Sequence, residues 1–287
     1  MTFSVARKAL TLGLAALAAG ATVATAPQGA VAASRWAPAE KAKITPGVQM
    51  VTEGGQCTGN FVFTDRRERV YVGYAAHCAG LGEATDTDCT TPSHPRGTPV
   101  RLESNGTVVG FGTKVGSGAL AYSSWLTMQR LGDTKGADCE FNDFALVRVA
   151  KADVSKVNPS VPFFGGPTGV RAKGLSIGDE VYSYGNSSLR GGVTELSPKV
   201  GSSTGDHPSG WSHYAYTATP GIPGDSGSGF LDDSGLAFGT LSTVGLLPYP
   251  AENGVGDLAR ELAFAQEHSG IRGLRLVEGT EPFVGLG

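Results

Sequence analysis

Three separated segments of this chain hold residue types that could together attack an acyl group. From Gly221 to Gly229 the sequence reads Gly-Ile-Pro-Gly-Asp-Ser-Gly-Ser-Gly, with glycines around an Asp225-Ser226 pair and a proline stiffening the approach. Glycine admits backbone conformations that other residues resist and lets a ligand come close, so successive N–H groups can face a developing negative charge. Ser226 is the candidate nucleophile, although the same composition also builds ordinary surface turns. A serine hydroxyl is a poor nucleophile near neutral pH and needs a base within hydrogen-bond reach and a group that orients the base. Of the five histidines, His94 and His207 sit beside prolines in polar loops, His213 lies in a strand-like run, and His268 ends a helical stretch where a helix C-terminus favours it. His77 alone closes an apolar run and is followed directly by a cysteine. Asp143 precedes the apolar run Phe144 to Val149, where a carboxylate could hold an imidazole away from water. Taken singly, His77 is as readily a core histidine and Asp143 a turn residue.

The elements that must carry these residues read as short strands. The chain has 287 residues, 43 glycines and 16 prolines, with 17% charged residues, enough for one large or two ordinary domains of β-rich, turn-rich character. A formal charge of -3 disfavours nucleic acid or an anionic membrane as partner. Arg7 and Lys8, then the apolar run Ala9 to Ala24, then Ala30-Val31-Ala32 have the form of a signal peptide (1–32) cleaved after Ala32, with Ala24-Thr25-Ala26 as a second cleavage candidate. The run is short for a membrane span. Export implies a secreted, extracellular protein with no membrane association once the signal is removed. Residues 33–43 read as a linker or short pro-segment.

Gln56 to Phe63 and Arg69 to Ala75 suggest a hairpin about Thr64-Asp65-Arg66-Arg67. Further strands are expected at Val48 to Val51, Pro99 to Glu103, Thr107 to Val115, Ser123 to Gln129 and Phe144 to Val149. Asn158 to Thr168 reads as a link with little to pack. A second set follows at Gly178 to Gly185, Gly191 to Leu196, Trp211 to Thr217, Gly227 to Leu231 and Leu236 to Val244. Val255, Leu258, Leu262 and Ala265 fall at helical spacing, so a helix is expected from Val255 to His268, ended by Gly270. Four cysteines in an exported chain imply two disulfides, with three possible pairings, of which the sequential one, Cys57–Cys78 with Cys89–Cys139, is favoured. Their spacings do not match a zinc site, and no metal or other cofactor is expected.

Tyr74-Ala75-Ala76-His77-Cys78, Asn142-Asp143-Phe144-Ala145-Leu146 and Pro223-Gly224-Asp225-Ser226-Gly227 resemble, in that order, the three signature segments of the trypsin and chymotrypsin family of serine proteases, and most of all its secreted actinomycete-type members. An α/β-hydrolase would have the order Ser, Asp, His and a glycine at position 228. The resemblance implies an all-β fold of two antiparallel six-stranded barrels with the active site between them, plus a C-terminal helix. The barrels would be 44–160, with His77 and Asp143, and 161–250, with Ser226, and the helix and tail 251–287. It further implies peptide-bond hydrolysis by a monomer acting on protein or peptide substrates, an oxyanion hole from the N–H groups of Gly224 and Ser226, and a Cys57–Cys78 bridge beside the catalytic histidine. The specificity pocket would involve Pro220, Ser242, Thr243 and Val244. Pro220 stands where trypsin-like members have the aspartate that selects Lys or Arg, and Val244 where an open pocket has glycine. A small or medium apolar preference is therefore expected. Cleavage at Lys43-Ile44 could supply an amine to Asp225, although Thr45-Pro46 matches the usual mature start poorly. The alternatives are a protease-fold binding protein without turnover and a serine esterase on the same fold.

Overall fold

The computed structural model describes residues 1–2, 35–53, 55–82, 88–245 and 250–285. The expected signal run and both of its cleavage sites lie outside them. In chain order the strands of the first half are β1 (Gln49–Thr52), β2 (Gly55–Thr58), β3 (Val62–Thr64), β4 (Val70–Tyr74), β5 (Pro99–Ser104), β6 (Thr113–Ser123) and β7 (Ala145–Val149). Helices α1 (Ser124–Leu131) and α2 (Ala137–Phe141) lie between β6 and β7. The second half has β8 (Gly169–Val170), β9 (Glu180–Tyr184), β10 (Pro198–Asp206), β11 (Ser212–Thr217), β12 (Gly229–Asp232), β13 (Leu236–Val244) and β14 (Asn253–Asp257), then α3 (Leu258–His268) and β15 (Arg275–Leu276).

Both halves close into antiparallel barrels. In the first, β2 and β3 are two parts of one bent segment, β2 bonded to β1 and β3 to β4, and the ring continues through β7, β6 and β5 back to β1. In the second, β9, β10, β11, β14, β13 and β12 form a ring that closes where β12 pairs with β9. The two-barrel architecture implied by the signature segments is therefore present, and the C-terminal helix with it. The sixth strand of the second ring, β14, lies beyond residue 250, and β15 crosses back to pair with β3 of the first barrel.

The apolar runs around His77 and Asp143 are continuous because those strands bury both faces. Val62, Val70, Val72, Tyr74, Val147 and Val149 fill the first barrel. Their alternates Phe61, Phe63, Tyr71, Phe144 and Leu146 pack with Tyr182, Leu231, Leu258 and Leu262 of the second half and α3. Period-two alternation thus sorts the residues between two cores.

Five expectations need correction. Ser123 to Gln129 is the start of α1, not a strand: Ser123 caps the helix by accepting from Leu126 N, and Trp125 and Met128, three apart, turn inward. Gly191 to Leu196 forms turns, and the strand is the glycine- and serine-rich β10 that follows. Asn158 to Thr168 does pack, burying Val161 and Phe164 in the inter-barrel core. Val255 belongs to β14, and Asp257 caps α3 by accepting from Arg260 N at 2.8 Å, so the helix starts three residues later than its apolar spacing suggests. Thr107 to Val115 is a strand only from Thr113 onward.

The disulfides are Cys57–Cys78 and Cys89–Cys139, closing loops of 21 and 50 residues. On a chain-entropy basis, replacing each pair by alanine is expected to lower unfolding stability by about 3 and about 4 kcal/mol respectively. Urea denaturation of the two double variants would measure this, and an equal or reversed order would show that local contacts outweigh loop length.

Candidate active site

His77 leaves the end of β4 in a tight turn, Ala76–Ala79, with Cys78 bridged to β2. Asp143 holds this turn at three points. Its carbonyl accepts from Ala76 N at 3.2 Å, its Oδ1 from His77 N at 2.8 Å, and its Oδ2 lies 2.6 Å from His77 Nδ1. A carboxylate facing Nδ1 places the ring proton there and leaves Nε2 with a free lone pair. Ser242 Oγ donates to the same Oδ2 at 2.6 Å. Asp143 is fully buried, whereas the His77 side chain keeps 16% of its surface open to solvent.

Burial works against both charges, but their mutual attraction and hydrogen bonds prevail. Burial would lower the proton affinity of His77, yet the charge and hydrogen bond of Asp143 raise it above the ordinary 6.5. Burial would raise that of Asp143, yet His77 and Ser242 hold it below the usual carboxylate value. Cys57, Cys78 and His77 also cluster, but both sulfurs are spent on the disulfide and no thiolate remains for a metal.

The serine loop packs directly on the histidine turn. Thr58 N donates to Ser226 O at 2.8 Å, and Gly227 is bonded to Leu241 O at 2.7 Å. A Cβ at Gly227 would fall 2.5 Å from Thr58 O and 2.8 Å from Ala75 N, two residues before His77, and φ is +88°. Glycine is therefore required there on two counts. Among the described residues Ser226 Oγ makes no hydrogen bond to His77; such bonds are often long in ligand-free enzymes and tighten with substrate.

The carbonyls of this loop are tied down in a way that frees two N–H groups. Ser187 Oγ donates to Pro223 O at 2.5 Å, which turns the Gly224 N–H the opposite way. Asp225 O accepts from Ser228 N at 3.0 Å and from Ser228 Oγ, turning the Ser226 N–H likewise. Gly224 O accepts from Thr58 Oγ1 at 2.7 Å and Gln56 Nε2 at 3.1 Å, and the φ of Gly224 is +96°. Neither N–H has a partner among the described residues.

Asp225 anchors the loop from beneath. It is fully buried and receives Ser187 N at 3.0 Å, Ile222 N at 3.2 Å, Arg190 at 2.6 Å and Lys199 at 2.9 Å. Arg190 and Lys199 also donate to the carbonyl of Pro220. Nothing in the sequence around Lys199 marks it as buried, since cations are almost never fully buried without a partner and the partner is distant in sequence. Asp225 therefore already has two cations, while Ile44 is fully buried with its N–H on Lys156 O at 3.1 Å and its carbonyl on Asn158 N at 2.9 Å. In the intact chain the Ile44 amide is therefore engaged away from Asp225, whose charge is met by Arg190 and Lys199.

The expected pocket residues separate. The Ser242 hydroxyl is turned onto Asp143, because β13 sends it toward the histidine turn, and supports that carboxylate. Val244 packs toward Gly221, Thr243 against Gly254, and Pro220 is exposed with its carbonyl tied. The buried Asn253, missed from sequence, joins these walls: its Oδ1 accepts from Gly221 N at 3.0 Å and its Nδ2 donates to Ala215 O at 2.9 Å. His213, read as a strand residue, is buried between Asp206 at 2.6 Å and Asp257 at 3.0 Å, and these two acids satisfy both ring nitrogens.

Compared by sequence, the chain matches no protein-family model and no curated protein. Among solved structures it is similar to protease A of Thermobifida fusca, at 16% identity over 82% of this chain and 99% of that one with a TM-score of 0.48. It is also similar to a Nocardiopsis protease (18% identity, 81% and 98% covered, TM-score 0.46) and to a Cellulomonas bogoriensis chymotrypsin (16%, 82% and 98%, 0.47). The two barrels are defined by their strand pairings, independently of these likenesses.

Replacing Asp225 by asparagine leaves two buried cations without their anion and is expected to cost about 3 to 5 kcal/mol of stability. Chemical denaturation of the variant measures this, and a loss below about 1 kcal/mol would show that Asp225 does not anchor the loop.

Proposed function

We propose that the chain is a secreted serine endopeptidase that cleaves peptide bonds through an acyl-enzyme. The observation that carries this reading is the short His77–Asp143 contact, with the Ser226 loop packed on the same turn. Ser226 Oγ attacks the scissile carbonyl while His77 Nε2 takes its proton. His77 then gives that proton to the leaving amine, and water repeats the sequence to release the acid. Asp143 keeps the proton on Nδ1 and stabilises the imidazolium. The Gly224 and Ser226 N–H groups receive the oxyanion, each such donor being worth about 10² to 10³ in rate. Two disulfides suit an oxidising compartment, and no helix among the described residues is long and apolar enough to cross a membrane. The apolar Val244 against Gly221 and the already bonded Asn253 support the small or medium apolar preference.

Digestion of a proteome-derived peptide library by wild type and by Ser226→Ala tests the reading: cleavage after small apolar residues by wild type alone is expected. Preference for Lys or Arg would overturn the specificity, and equal cleavage by both proteins would overturn the mechanism. Because His77 must be neutral to act and its proton affinity is raised, kcat/KM is expected to rise with pH along a limb centred above 6.5. Asp143→Asn should lower kcat by about 10⁴-fold through the wrong tautomer. A flat pH profile with an active Asp143→Asn would contradict both roles.

A further inference from the structure

Behind Asp143 the protein buries a second carboxyl group that the mechanism does not use. Glu261, on the inner side of α3, is fully buried. Its Oε2 accepts from Thr240 Oγ1 at 2.8 Å, and Asn60 Nδ2 donates to that same hydroxyl oxygen at 3.3 Å. Its Oε1 has no hydrogen-bond partner, nor has the buried hydroxyl of Tyr122 on β6. Thr240 and Ser242 are alternate residues of β13, so one strand sends a hydroxyl to each carboxyl, Glu261 and Asp143. Oε1 also lies over Gly256 of β14, close to where the Phe141 carbonyl approaches the same glycine.

The ionisable groups that face Glu261 are Asp143 from the loop before β7, Asp257 from the end of β14 and Tyr122 from β6. Its helix neighbour Arg260 instead lies over Trp211, and Glu261 forms no ion pair among the described residues. An ionised carboxylate there would face two like charges and no cation, with the Thr240 hydroxyl and the nearby Asp143 backbone N–H to offset them, which is the costly form of burial.

We propose that Glu261 is held as a neutral carboxylic acid and serves as a positioning residue for the triad, bracing Asp143 through the Thr240–Ser242 edge of β13 while keeping a second negative charge away from His77. Burial, and then the charge of Asp143, push its proton affinity well above the ordinary carboxylate value. A carboxyl whose folded-state pKa is raised contributes its full stability below the unfolded value of 4.5 and loses it as pH rises toward the folded value. Glu261→Gln is therefore expected to gain stability relative to wild type as pH rises above about 4.5.

The positioning role rests on the endopeptidase reading; the neutral acid does not. In the Ser226→Ala protein, an infrared band of a protonated carboxyl at pH 7 is expected and should vanish when Glu261→Gln is added. The NMR midpoint of His77 is expected to stay within about 0.3 unit between those two proteins. Removing a charged Glu261 would instead lower it by about a unit or more, and that drop, or a missing band, would overturn the neutral acid. In the Ser226-containing protein, Glu261→Gln should keep kcat/KM within about threefold, and Glu261→Leu and Thr240→Val should each lower kcat about tenfold with KM unchanged. Wild-type kcat in both Leu and Val variants would overturn the positioning role. If wild type cleaves no peptide, the endopeptidase reading falls and the positioning role with it, while the infrared and NMR results still decide the charge of Glu261.

Discussion

The site depends on a carboxylate that is denied water. Asp143 lies fully inside the protein, and every hydrogen bond it would make to solvent is supplied by a residue that the site must hold still. Its oxygens take His77 N, His77 Nδ1 and Ser242 Oγ, so satisfying one buried charge fixes a backbone turn, a ring tautomer and a strand of the other barrel together. The distances of 2.6 Å to His77 and to Ser242 are those of charge-assisted bonds, which are stronger than neutral ones where water is excluded. The contact also couples the two halves, because Asp143 and His77 come from the first barrel and Ser242 from the second.

A second buried carboxylate does the same for the loop across the cleft. Asp225 takes two backbone N–H groups, a guanidinium and an ammonium, and these pull the loop into a shape whose neighbouring carbonyls are all occupied. The free N–H groups of Gly224 and Ser226 follow from that arrangement. A donor whose own peptide carbonyl is anchored does not need to reorganise when charge develops before it. The barrels thus act as two supports, the first holding the histidine turn through buried Asp143 and the second holding the serine loop through buried Asp225.

Much of this is legible from residue types. His77, Asp143 and Ser226 stand out because each combines a reactive side chain with a local constraint: a neighbouring cysteine, a following apolar strand and flanking glycines. The barrels are legible from turn chemistry and short apolar runs, and α3 from its spacing. What escapes is long-range. Arg190, Lys199 and Ser187 matter only because the fold brings them under Asp225, and Asn253 only because β14 runs beside β13. The β10 strand has little local signal, since Gly201 and Ser202 are held by strands on both sides, and Ser203 and Gly205 by β11, and not by propensity. Ser123 to Gln129 misleads for the opposite reason: its β-branched and aromatic content suits a strand, but a serine cap and inward-facing Trp125 and Met128 suit a helix better.

The central claim is that Ser226 is made nucleophilic by the His77–Asp143 pair. Reaction of the protein with an organophosphate probe, followed by mass mapping of the adduct in wild type and in His77→Ala, tests it most directly. The account requires a single stoichiometric adduct on Ser226 in wild type and labelling slowed by orders of magnitude in the variant. An adduct on another residue, or equal labelling rates in the two proteins, would contradict it.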